Sequence, residues 1–187
     1  MTSKEHISEN FALKGFTSIQ IGLYFLLASY LIKIILEGFL IDDNPMGMMS
    51  AEILEYLIGS ICVFLFVFSS FALFFSAKRR AKKQEIPLWN SSSKSIFWKY
   101  LASFLVLFIA LIFLMNQGFI DLITPIFFIF YGFILLLINP KSNQNMRIIG
   151  GICLLLGIIC FLIPNYWFAS MSILGIAHIT NGIVVKN

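Results

Sequence analysis

Lys78-Arg79-Arg80-Ala81-Lys82-Lys83 places five basic residues in six positions, between two long apolar runs. A charged block flanked by segments too apolar for water orients a membrane protein by the positive-inside rule. With the block in the cytoplasm, every other basic residue except Lys33 falls on the cytoplasmic side or at its boundary. Glu37, Asp42, Asp43, Glu52, Glu55 and Asp121 gather on the opposite side. The charges are sorted by side.

The bulk composition agrees. Of 187 residues, 59% are hydrophobic and 12% charged, too few polar groups to cover a soluble domain of this size. The 21 Phe residues suit a lipid-facing surface and supply bulk for helix packing. A net charge of +4 could serve nucleic acid. Here the basic residues flank apolar spans, so topology and anionic lipid headgroups account for them, and no nucleic-acid partner is expected. Cys62, Cys153 and Cys160 all lie inside apolar segments, which argues against a disulfide framework. Cys153 and Cys160 would sit roughly 10 Å apart along a helix, too far for a bridge.

Working outward from the basic block, the chain divides into six spans at about 15–39, 51–76, 96–115, 119–138, 146–163 and 166–185. Most match a hydrocarbon core of roughly 30 Å at about 1.5 Å per residue. The apolar run from Gly15 to Ile41 exceeds the roughly 7–15 residues of a signal-peptide core, so it is expected to remain as the first span. The block itself belongs to a cytoplasmic basic loop, 77–95, in which Pro87 and Ser91-Ser92-Ser93 break any regular pattern. Asn116-Gln117-Gly118 is so short that spans 3 and 4 must form an antiparallel hairpin, and Pro164-Asn165 does the same for spans 5 and 6. The expected fold is an all-α integral membrane protein, one membrane domain over 1–187, with both termini cytoplasmic. Trp89 and Trp98 are placed as headgroup-level anchors, and Pro125 as a packing kink in span 4.

Glycines recur seven residues apart in three spans: Gly15 and Gly22, Gly150 and Gly157, Gly175 and Gly182. A seven-residue step returns to nearly the same helix face, where glycine lets backbones approach closely. Close packing is the expected role; a glycine-lined sliding interface or pore is the alternative. The run Tyr131-Gly132-Phe133-Ile134-Leu135-Leu136-Leu137-Ile138-Asn139-Pro140, then Gly150-Gly151-Ile152-Cys153-Leu154-Leu155-Leu156-Gly157-Ile158, then Pro164, repeats an apolar stretch punctuated by glycine and closed by proline. With this run the chain resembles, over roughly its last 60 residues, the HdeD-like family of small bacterial six-helix membrane proteins, and its span Gly175-Ile176-Ala177-His178-Ile179-Thr180-Asn181-Gly182 is also similar to small bacterial membrane proteins that end in a glycine–His-Ile–glycine span. The resemblance implies a bacterial cytoplasmic (inner) membrane protein of multi-pass architecture and implies no particular activity.

Ionisable groups within spans are the first functional candidates, because each costs about 2.5–3.5 kcal/mol to place at a helix centre. Lys33 lies about 27 Å from the inner end of span 1, with Glu37 one turn later. Glu55 and Asp121 begin spans 2 and 4, so all four belong near the outer interface. Snorkelling with an ion pair is the expected role of Lys33, and an outward-facing cation or proton site is the alternative. His178 is about 18 Å into span 6, with Asn181 close to the same face. It is either an interhelical hydrogen-bonding group or a protonatable relay. The only other histidine, His6, lies outside the spans, so neither a haem nor any other cofactor is expected, and no metal site.

No HExxH, no GxSxG and no phosphate-binding glycine loop is present, so an enzyme is not expected. The first reading is a non-catalytic accessory, regulatory or stress-related subunit. It would contact anionic lipid headgroups or a membrane-protein partner through Lys78, Arg79, Arg80, Lys82 and Lys83, and a homo-oligomer is a further assembly to expect. The alternative is an oligomeric proton, ion or small-solute transporter or channel using the outer polar groups and His178.

Overall fold

The computed structural model describes residues 15–39, 50–83, 85, 91–138 and 144–185. Side chains at 51–52, 91–93, 95–96, 137–138 and 144–145 lie outside that description. The outer-loop residues Asp42 and Asp43, the side chain of Glu52, and Pro87, Trp89 and His6 therefore fall outside the described part.

The described residues form six α-helices: α1 Phe16–Phe39, α2 Ala51–Lys83, α3 Ser91–Asn116, α4 Ile120–Ile138, α5 Gln144–Leu162 and α6 Trp167–Val184. A single 3-10 turn, Pro164–Tyr166, leads into α6. Four helical stretches are long and apolar enough to cross a membrane, namely Phe16–Phe39, Ile53–Lys83, Phe97–Asn116 and Pro164–Val184. Two shorter apolar helices, Ile120–Leu136 and Met146–Leu162, accompany them. Length and composition thus fit a multi-pass membrane protein.

The helices outrun the expected loop. Residues 77–95 were expected to be irregular, yet α2 continues through the basic block to Lys83 and α3 starts at Ser91. Ala77 and Ala81 explain the first extension. They are buried one turn apart, so the last turns of α2 keep a packed face while Lys78, Arg79, Lys82 and Lys83 stay exposed. The serines at 91–93 form the first turn of a helix because serine competes for backbone groups in helix interiors but not at helix starts. At about 1.5 Å per residue, the 33 residues of α2 reach about 50 Å.

The core lies where α1, α4, α5 and α6 meet. Ile21 and Phe25 from α1, Phe128, Tyr131 and Leu135 from α4, Met146, Ile149, Cys153, Leu156 and Cys160 from α5, and Leu174 from α6 form one buried cluster. The two most extensive interfaces pair α1 with α6 and α4 with α5. Glycine makes both possible. A methyl group on Gly175 would stand 2.9 Å from the Gly22 carbonyl oxygen, and one on Gly182 would stand 2.6 Å from that of Gly15. Across α4 and α5, a methyl group on Gly132 would meet the Gly150 carbonyl at 2.9 Å, and one on Gly157 the Pro125 carbonyl at 3.2 Å. The seven-residue glycine steps therefore mark filled helix crossings rather than a pore lining. Pro125 sits buried inside α4 as a packing element of the second crossing.

The helices α2 and α3 are peripheral. They reach the core through Leu65, Leu73 and Phe104, and meet each other through Phe66 against Phe104 at 4.4 Å between ring centroids. Ser70 and Tyr100 add a hydroxyl contact of 3.2 Å. Most of their apolar surface is open, including Phe64, Phe68, Phe71 and Phe75 on α2 and Leu105, Ile109 and Phe113 on α3. In water such a surface would aggregate; hydrocarbon is its natural solvent.

Candidate functional site

The most constrained polar group is His178. Its side chain is fully buried, and three helices supply its surroundings. From α4, the Tyr131 hydroxyl lies 3.0 Å from Nε2. From α1, Ser18 donates its hydroxyl to the His178 carbonyl oxygen at 2.8 Å, and its Oγ lies 3.5 Å from Nδ1. From α6 itself, Asn181 donates from Nδ2 to Ser18 Oγ at 3.1 Å. Phe25 stacks on the imidazole with a 7° interplanar angle at 5.9 Å, and Tyr131 closes another side edge-on.

The proton inventory selects one arrangement. The single Ser18 hydrogen goes to the backbone carbonyl, so Ser18 Oγ faces Nδ1 as an acceptor. Nδ1 then carries the imidazole proton, and Nε2 accepts from the Tyr131 hydroxyl. A neutral histidine satisfies every partner in this arrangement. A charged one would turn Nε2 into a donor and force the tyrosine hydroxyl to rotate away.

The helix register builds this cluster. With Gly22 against Gly175 and Gly15 against Gly182, α1 and α6 run antiparallel, and Ser18 falls beside His178. Thr17, the neighbour of Ser18, donates to Ser76 Oγ at 2.5 Å, just before the basic turns of α2. The buried cluster and the basic helix end are therefore joined through two consecutive residues.

The outer candidates form a separate region. Lys33 pairs with Glu37 at 3.6 Å, one turn away on the same helix, and its ammonium lies 4.5 Å from the centre of the Phe168 ring on α6. The ammonium is thus held between a carboxylate and an aromatic ring face. Glu55 is half-buried near the start of α2, and Asp121 is exposed in the first turn of α4. Neither makes an ion pair with another described residue. Ser18 and Lys33 are about 22 Å apart along α1, so the outer groups and His178 do not make one site. Asn181, in contrast, does join His178.

Ser18, Phe25 and Tyr131 were not singled out as functional residues in the sequence, although together they make the histidine environment. The matched glycine spacings of spans 1 and 6 hold the signal that would have found Ser18. Among the described residues, no group of three His, Cys, Asp or Glu side chains could hold a metal ion. Compared with protein-family models, curated proteins and solved structures, the chain has no match.

Proposed function

We propose that the protein is a non-catalytic, six-span accessory or regulatory subunit of the bacterial inner membrane, with both termini and the basic end of α2 in the cytoplasm. The supporting observation is the form of that end. Lys78, Arg79, Lys82 and Lys83 are exposed on a helix of 33 residues, longer than the roughly 30 Å of a hydrocarbon core requires, and Ala77 and Ala81 are buried beside them. A projecting basic helix end suits an acidic protein partner, or anionic lipid headgroups at about 1 kcal/mol per basic residue. The HdeD-like resemblance of the last 60 residues points to the same small-protein class. His178 is sealed by Phe25 and Tyr131 and fully hydrogen-bonded, which suits a structural latch better than an ion path.

Crosslinking in native membranes tests this reading. A specific protein partner should be recovered, and neutralising Lys78, Arg79, Arg80, Lys82 and Lys83 should remove it. Recovery of the chain alone, unchanged by those substitutions, would sink the accessory reading. Orientation has its own test: a reporter fused after Ala81 should appear in the cytoplasm, and an external reporter would invert the arrangement.

A further inference from the structure

An open groove of about 480 Å³ runs between α3 and α4, lined by Ala102, Ser103 and Val106 on one side and Phe130, Phe133 and Ile134 on the other. Its volume lies within the roughly 300–1,000 Å³ of small-molecule sites. Its walls are almost wholly apolar, with the Ser103 hydroxyl as the only polar side chain. Val106 and Phe133 are about half exposed, so the groove opens sideways from the bundle rather than inward.

The register of α3 joins this groove to a cation. Lys99, Ser103 and Val106 recur at i, i+4 and i+7, which puts them on one helix face. Lys99 is exposed about one turn beyond the groove, and its neighbour Trp98 is 65% exposed at the same level. Tryptophan beside lysine is the pairing of the headgroup layer. No acidic residue occurs from Ser91 to Ser103 on α3 or from Ile129 to Ile138 on α4, so no carboxylate on these segments competes for the ammonium.

We infer that the α3–α4 groove is a binding site for one anionic phospholipid, with an acyl chain against Val106, Phe130 and Phe133 and the phosphate on Lys99. An apolar groove with an exposed cation about one helical turn beyond its end matches a molecule with an apolar tail and an anionic head. An aqueous ligand would gain little from the walls. A second copy seated on the same segments would bury Lys99 with no acidic residue from Ser91 to Ser103 or from Ile129 to Ile138 to meet it. The placement of Lys99 in a headgroup layer rests on the multi-span reading above.

Native mass spectrometry of the full chain in detergent tests the inference, using equal amounts of phosphatidylglycerol and phosphatidylcholine. The wild type should retain one phosphatidylglycerol in preference. Lys99→Ala should reduce that preference about fivefold while lipid is still retained, and Lys99→Arg should restore it. Val106→Trp, or Ala102→Leu as an independent filling, should remove lipid of both kinds without lowering the melting temperature. The same loss on Lys99→Ala should be seen in a background with Lys78, Arg79, Lys82 and Lys83 neutralised, which removes any headgroup contact at the end of α2. Equal retention of both lipids by the wild type overturns the inference, as does a preference that survives Lys99→Ala. A dimer that carries no lipid and separates on Val106→Trp would assign the groove to a second copy instead. Detergent is blind to sidedness and to the accessory partner, so failure here is distinct from failure of the crosslinking or reporter experiments.

Discussion

At the scale of single residues, burial and hydrogen bonding decide what His178 does. Two neutral hydrogen bonds and a stacked ring hold it between α1, α4 and α6. Such bonds are worth about 1 kcal/mol each inside a membrane protein. Tyr131→Phe should therefore lower stability by about 1 kcal/mol in detergent unfolding, since it removes one donor and leaves the ring packing intact. His178→Ala should cost more, about 2–4 kcal/mol, because it opens a cavity and strands the Tyr131 hydroxyl. The double variant should then lose less than the sum of the two by about 1 kcal/mol, as expected of residues in contact. A strictly additive cycle would show that the tyrosine and histidine do not act together. His178 was legible in the sequence as the one histidine inside an apolar span. Tyr131 was not, because a tyrosine 47 positions away becomes its partner only through the packing of α4 against α6.

At the scale of helices, glycine decides which faces meet. Gly175 has the Gly22 carbonyl and Leu26 within 3 Å of the place where a methyl group would go, whereas Gly151 and Gly59 have nothing within 4 Å. Gly175→Ala should therefore force α1 and α6 apart, at a cost of about 1–3 kcal/mol typical of overpacking. Gly151→Ala should cost nothing and gain about 0.5–1 kcal/mol from helix propensity. Melting the two variants side by side checks this, and equal losses would mean that the crossing does not depend on glycine. The six helices and their order were legible because hydrophobic length and turn residues report them directly. The ends of α2 and α3 were less so: Lys78–Lys83 and Ser91–Ser93 carry loop-like composition, yet buried Ala77 and Ala81 carry the helix on. The faces on which α1 and α6 meet were marked by the equal seven-residue steps of Gly15–Gly22 and Gly175–Gly182, but a spacing names a face without naming what it faces.

At the scale of the whole molecule, the chain divides into a close-packed inner set, α1, α4, α5 and α6, and two outer helices, α2 and α3, with wide open apolar faces. The three cysteines sample that division. Cys153 and Cys160 are fully enclosed at the α5 crossing, and Cys160 donates to Ser170 at 3.1 Å, tying α5 to α6. Cys62 lies half-buried on the outer α2. A small apolar maleimide should therefore modify at most one thiol per chain in the native protein, and all three after unfolding in sodium dodecyl sulfate. Mass spectrometry of the labelled chain counts them, and Cys62→Ser should leave the native protein unlabelled. Native labelling of Cys153 or Cys160 would mean that the inner set opens, and a path through it would then have to be considered. If only Cys62 reacts, the inner helices act as a fixed frame. The parts free to engage lipid or a partner are then the outer ones: the groove beside α3 and the basic end of α2. That end connects to the frame where Thr17 meets Ser76, one residue along α1 from the Ser18 contact with His178.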